Sequence, residues 1–212
     1  MLSLKDSLAV LRKTNALIEG HFVLSSGLHS STYVQCAKLL SFPKLAYKIC
    51  KSLSTKINKN FKKIDLIISP AIGGIIIGYE IGRLLNKETI FCERVKKKFI
   101  LRRGFKIKKN SRVLVIEDVI TTGKSSLECS KLIKKSKAKI IGYACIIDRS
   151  NKKKLRIKKD IISQVKIDVP VYFSNKLPAS LKSLTSSLSE SVKTSISSSL
   201  TSGIDGMSLN LE

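Results

Sequence analysis

Three features of this 212-residue chain predict an α/β fold, a central and mostly parallel sheet flanked by helices. Residues 64–69 (IDLIIS), 112–116 (RVLVI) and 139–147 (KIIGYACII) are short, β-branched, apolar runs of the kind that form strands buried on both faces. Helical patterns, with apolar residues at spacings of three and four, alternate with them. Two of the runs empty into glycine-bearing turns that open helices, which is where ligands bind in open α/β sheets.

Size and composition narrow the possibilities. The length suits one α/β domain with a sizeable core, here taken as residues 1–175, followed by a Ser-rich tail at 176–212. No apolar run approaches the ~20 residues of a membrane span, and residues 1–20 lack a signal peptide's basic start and apolar centre, so the expected location is cytoplasmic. The formal charge of +25 comes from lysines scattered through nearly every segment, with few aromatics between them. That dispersion argues against nucleic acid as the main partner and is compatible with a local site for a small anion. Cys36, Cys50, Cys92, Cys129 and Cys145 are odd in number and have no C-x-x-C spacing, so they read as buried thiols, not a disulfide framework or zinc site. His21 and His29 are too few for a histidine-rich metal centre.

In chain order, residues 3–18 read as an amphipathic helix with Ser3 as N-cap. Gly20 breaks the pattern, and strand-like pieces at 21–24 and 32–35 flank Ser25-Ser26-Gly27 as a hairpin. Pro43 starts a helix through about Asn58, where its missing N–H costs least. The strand at 64–69 leads into Pro70-Ala71-Ile72-Gly73-Gly74 and a helix over 75–85, and the glycine pair lets backbone approach a ligand. Residues 89–95 form another strand, followed by Lys96-Lys97-Lys98 and then FILRRGF.

The run after the central strand carries the most specific chemistry. Glu117 and Asp118 end the strand, Val119 and Ile120 follow, and Thr121-Thr122-Gly123-Lys124-Ser125 leads into a helix. Backbone amides at that turn, backed by a helix end of roughly +0.5 charge, make a phosphate cradle. The acids before it suit sugar hydroxyls, and can hold a phosphate-bound Mg²⁺ through water. A further strand ends in Asp148-Arg149-Ser150, where Arg149 can present a planar fork to a carboxylate. Residues 161–173 supply the last short strands. In the tail, Leu181, Leu184, Leu188, Val192, Ile196 and Leu200 repeat at three or four, enough for a marginal amphipathic helix.

The acid pair followed by T-T-G-x-S resembles the phosphoribosyl-diphosphate (PRPP) signature of the type I phosphoribosyltransferases. Gly20, Phe22, Leu24, Ser26, Gly27, Ser30 and Tyr33 are similar to the N-terminal hood of the orotate phosphoribosyltransferases, and FCERVKKKFILRRGF to the basic catalytic loop of one bacterial branch. The resemblance covers roughly residues 3–173. It implies the type I phosphoribosyltransferase fold with an N-terminal hood, and transfer of phosphoribose from PRPP to orotate in pyrimidine biosynthesis.

By the same resemblance, PRPP contacts fall to Gly73, Gly74, Arg94, Lys98, Glu117, Asp118, Val119, Ile120, Thr121, Thr122, Gly123, Lys124 and Ser125. Arg94, Lys98 and Asp118 would be catalytic, with the choice among Lys96, Lys97 and Lys98 open. Orotate contacts fall to Ser26, Gly27, Thr121 and Arg149. Mg²⁺ would arrive on PRPP without direct protein ligands, and a homodimer is expected with the basic loop crossing into the neighbouring site. Three family features differ here: Ser25 stands where some members have lysine, the loop histidine of other branches is missing, and so is the usual Pro-Gly-Ser ending. The competing readings are a phosphoribosyltransferase for another base and a PRPP-sensing regulator that binds nucleic acid.

Overall fold

The computed structural model describes residues 1–24, 27–151 and 155–188. They form two compact units, one of residues 1–18 and 34–169 and one built on residues 19–33 and the chain from 170 onward.

The larger unit holds a six-stranded sheet in the order β5-β4-β3-β6-β7-β8. These are Leu66–Pro70 (β3), Thr89–Val95 (β4), Lys98–Ile100 (β5), Arg112–Ile120 (β6), Lys139–Asp148 (β7) and Ile161–Lys166 (β8). All neighbours pair in parallel except β4 and β5, which form an antiparallel hairpin. Parallel pairing forces helical crossovers, and Gly74–Leu85 (α4) and Lys124–Lys135 (α5) supply two of them.

Both faces of the sheet are covered, as its continuous apolar strands require. Alternate side chains sort into two layers: Ile67, Leu114, Ile116, Ala144 and Ile146 enter one core with helices Leu4–Lys13 (α1), Cys36–Leu40 (α2), Pro43–Asn60 (α3) and α4. Leu66, Ile68, Val113, Val115, Tyr143 and Cys145 enter the other with Cys129 and Ile133 of α5. This period of two is what fixes the register, since a one-residue slip would exchange the layers.

Several sequence boundaries move. α1 ends at Lys13, capped at its start by Ser3, whose hydroxyl accepts from Asp6 N. Leu17 and Ile18 begin strand Leu17–Val23 (β1) instead, because Asn15 takes a left-handed φ of 54° that stops the helix. The five-residue α2 was not anticipated; it is too short to show a period. All five cysteines are buried free thiols, as expected.

In the second unit, β1 pairs with His29–Val34 (β2), which pairs antiparallel with Val171–Tyr172 (β9). Gly27 N donates to Leu24 O in the connecting turn, at a φ of 75° that suits glycine. The tail begins as helix Ala179–Leu188 (α6), with Leu181 buried at 2% exposure. The rest of the apolar repeat, Val192, Ile196 and Leu200, lies outside the described residues.

Candidate active site

The carboxyl ends of β3, β6 and β7 lie side by side. Ile68 pairs with Val115, Glu117 with Cys145 and Ile120 with Asp148, so the loops after Pro70, Ile120 and Asp148 emerge together. Arg149 N donates to Ile120 O at 2.8 Å and ties two of these exits to one another.

Between β6 and α5 the chain turns through Gly123, whose φ of 72° is left-handed and whose Cβ, were there one, would lie 2.7 Å from Ile157 Cδ1. Glycine is thus required twice, for backbone angle and for space. In the first turn of α5, Leu127 N donates to Gly123 O at 2.9 Å. The amides of Lys124, Ser125 and Ser126 precede it, helix-start donors that have no acceptor within the helix. Thr121, Thr122 and Lys124 are exposed. Such an arrangement holds a phosphate by backbone amides and helix dipole together.

The acid pair sits just inside this cradle. Burial pushes the Glu117 carboxyl up to about 7, against the opposing influence of a hydrogen bond from Ser126 Oγ. Asp118 is likewise raised, chiefly by burial, while its Oδ1 accepts from Val119 N at 2.9 Å. Two desolvated carboxylates beside a phosphate cradle are suited to accept from the hydroxyls of a phosphorylated sugar.

Gly73 brings the third loop in. A Cβ there would lie 2.7 Å from Asp118 Oδ2, and one on Gly74 would lie 3.1 Å from Ile116 O. Backbone from the β3–α4 loop, which includes a cis Ala71–Ile72 peptide, therefore packs directly on the end of β6.

At the exit of β7, Asp148 Oδ1 accepts from Ser150 N at 2.8 Å and holds the turn that carries Arg149. Arg149 Nε is buried and has no hydrogen-bond partner among the described residues, and burial lowers the guanidinium's affinity for its proton. Arginine keeps its charge regardless, so a partly desolvated cation stands at the exit of β7.

Arg94 and Lys98 sit elsewhere in the large unit, on the β4–β5 hairpin. Lys96 and Lys97 form its two-residue turn, with φ values of 46° and 66°, as a tight antiparallel connection demands. Arg94 Nη2 pairs with Glu128 at 2.6 Å, Nη1 donates to Lys97 O, and the guanidinium lies 4.1 Å over the Phe99 ring. Lys98 is exposed at the hairpin end. Arg102 and Arg103 both pair with Glu93, so they brace the base of the hairpin. Gly27 belongs to the second unit, and Ser26 lies outside the described residues.

One residue has no sequence signal: Ser126 meets Glu117 only because the strand turns back as a helix. Asp148, named at the strand end without a role, acts through its own turn.

Comparison with known proteins agrees with this geometry. The phosphoribosyl transferase domain family matches residues 41–174. The orotate phosphoribosyltransferase of Parvibaculum lavamentivorans is 44% identical over 173 residues, covering 81% of this chain and 89% of that one. The chain belongs to the orotate phosphoribosyltransferase family. Its Helicobacter pylori relative is 47% identical over 144 residues, covering 68% of this chain and 72% of the other. The crystal structure of orotate phosphoribosyltransferase from Aeropyrum pernix shares the fold at a TM-score of 0.63 and 22% identity, covering 85% of this chain and 97% of that one. The family is one of glycosyltransferase-type enzymes, and its fold is the type I phosphoribosyltransferase fold.

Proposed function

We infer that the chain transfers the phosphoribosyl group of PRPP to N1 of orotate, giving orotidine 5′-monophosphate and diphosphate for pyrimidine biosynthesis. The observation that carries the substrate choice is Arg149, whose buried Nε lacks a partner among the described residues, one strand away from the acid pair. A planar guanidinium in that state matches the carboxylate of orotate.

In this reading the turn from Thr121 to Ser125 holds the 5′-phosphate through backbone amides, with Val119 and Ile120 lining the approach. Glu117 and Asp118 accept from the ribose hydroxyls and stabilise positive charge as C1 becomes oxocarbenium-like. Gly73 and Gly74 offer backbone to the diphosphate. Arg94 and Lys98 stabilise the charge gathering on the leaving group, which requires Arg94 to exchange Glu128 for diphosphate. Thr121 and Arg149 contact orotate. No side chain acts as nucleophile, and positioning with electrostatics carries the rate.

The two strand-end carboxylates are hard oxygen donors of the kind Mg²⁺ takes, so the site fits Mg²⁺ brought in on PRPP, with Glu117 and Asp118 reaching it through ribose or water. The ion would offset diphosphate charge.

A homodimer is supported by Ile72, Ile76 and Tyr79, which are 86%, 55% and 67% exposed at spacings of four and three. An apolar stripe of this kind beside the diphosphate loop suits a second copy of the chain, whose basic hairpin would reach this site. Among the described residues no helix is long and apolar enough to cross a membrane, and the proposed location is the cytoplasm. Residues 176–212 are proposed as a terminal appendage to the phosphoribosyltransferase domain at 1–175.

The test is the loss of orotate absorbance on mixing the purified chain with orotate, PRPP and Mg²⁺, with other bases in parallel. PRPP-dependent loss with orotate alone is the expected result; loss only with another base would overturn the substrate assignment.

A further inference from the structure

The acid pair has a buried partner that the reaction scheme above does not use. Ser126, third residue of α5, is fully buried, and its hydroxyl donates to Glu117 Oε1. Nor does that contact stand by itself. Ser130 Oγ donates to the Ser126 carbonyl at 2.7 Å and meets the Tyr143 hydroxyl at 2.8 Å. Ser126, Ser130 and Tyr143 are all at most 3% exposed, in the apolar layer that also holds Cys129 and Ile133. A polar chain in such a layer joins β7 through α5 to the one end of β6 where ligand chemistry occurs, and buried polar groups keep their place only when each has its partner.

We propose that Ser126 is a positioning residue for phosphoribosyl transfer: its hydroxyl fixes the Glu117 carboxylate through Oε1 and leaves Oε2 to accept from the ribose hydroxyls. The proposal rests on the reading of Glu117 as a ribose contact. The groups that face Glu117 are Asp118 on its own strand, Cys129 on α5, and Tyr143 and Cys145 on β7. A hydrogen bond with Cys92, together with burial, raises Cys129, and burial raises Cys145 and Tyr143, so all three stay neutral near pH 7. Burial and Asp118 favour the protonated form of Glu117, and the Ser126 hydroxyl opposes both.

The experiment measures kcat/KM for PRPP against pH in the full-length wild type, Ser126→Ala, Ser126→Cys and Glu117→Gln. A ¹³C-glutamate carboxyl titration by NMR on the same proteins, with Glu117→Gln as the assignment control, reads the acid without turnover. The wild-type acid limb is expected near the Glu117 value of about 7. Without the hydroxyl it moves up by about one pH unit, so that kcat/KM falls about tenfold near pH 6.5 and converges on wild type by about pH 9. Ser126→Cys, with a weaker donor and similar bulk, moves in the same direction by less.

An equal loss at every pH, with the limb and the NMR midpoint unmoved, would show a purely structural serine and overturn the proposal. If Glu117→Gln retains wild-type kcat/KM for PRPP, the ribose assignment itself falls. An impaired Glu117→Gln beside an unmoved Ser126→Ala limb sinks the Ser126 role alone.

Discussion

Gly73 rests its backbone against the Asp118 carboxylate so closely that a single added methyl would stand 2.7 Å from Oδ2 and 2.9 Å from Cγ. The loop proposed to meet diphosphate and the acid proposed to meet ribose are therefore placed by one contact. Gly73→Ala must displace one of them, and the backbone at Gly73, with a φ of −56°, is otherwise open to alanine. Turnover should fall by about a hundredfold, the scale of a 1 Å misplacement, with the fold retained. Circular dichroism and kcat on the same preparation decide it; unchanged turnover would mean that the contact is not maintained when substrate binds.

Asp118→Asn keeps the shape of the side chain and its reach to Val119 N, and removes the charge. If that charge stabilises the cationic ribosyl group, kcat should drop by about 10² to 10³ while the melting temperature holds or rises. The reason it does not fall is burial, which already disfavours the charged acid. Wild-type turnover in the variant would remove Asp118 from the site.

Glu117 makes stability depend on pH with a definite sign. Its carboxyl lies at about 7 in the folded chain against an ordinary 4.5, chiefly through burial. Between those values the folded state holds a proton that the unfolded chain has released. Stability is therefore fullest below about pH 4.5 and declines as pH rises to about 7, by on the order of 3 kcal/mol. Glu117→Gln has no such decline. Urea denaturation at pH 5 and pH 8 should show the variant gaining on wild type by roughly 2–3 kcal/mol across the interval, and a difference that stays flat would contradict the burial argument.

How far the residue pattern alone could go is visible at Ser125 and Ser126. The turn through Gly123 and the opening of α5 follow from the order of residue types, since strand, acids, Thr-Thr-Gly and helix are all local signals. Ser126 differs from its neighbour only in which way the helix points it, and that depends on where β6 and α5 pack. The same limit applies to Arg94. Its place near a run of lysines was legible, but its ion pair with Glu128 spans 34 residues and its ring contact with Phe99 needs the hairpin register. Leu17 and Ile18 show the opposite failure: they fit the helical period of α1, and the left-handed Asn15 puts them in a strand.

Substitution of Arg149 should separate the two substrates. Its backbone amide is already committed to Ile120 O, so the main chain stays in place when the side chain is shortened. What Arg149→Ala removes is a half-buried guanidinium whose buried Nε has no hydrogen-bond partner among the described residues, a donor that costs the free enzyme unless an acceptor meets it. The variant should fold with equal or greater stability. Its KM for orotate should rise by about ten- to a hundredfold, the loss expected for a charge-assisted bidentate contact, while the KM for PRPP moves less than about threefold. Arg149→Lys should recover little, because a single ammonium cannot reproduce the planar fork. The reverse pattern, with PRPP binding lost and orotate binding kept, would assign the guanidinium to a phosphate and leave the base without a carboxylate partner at the end of β7.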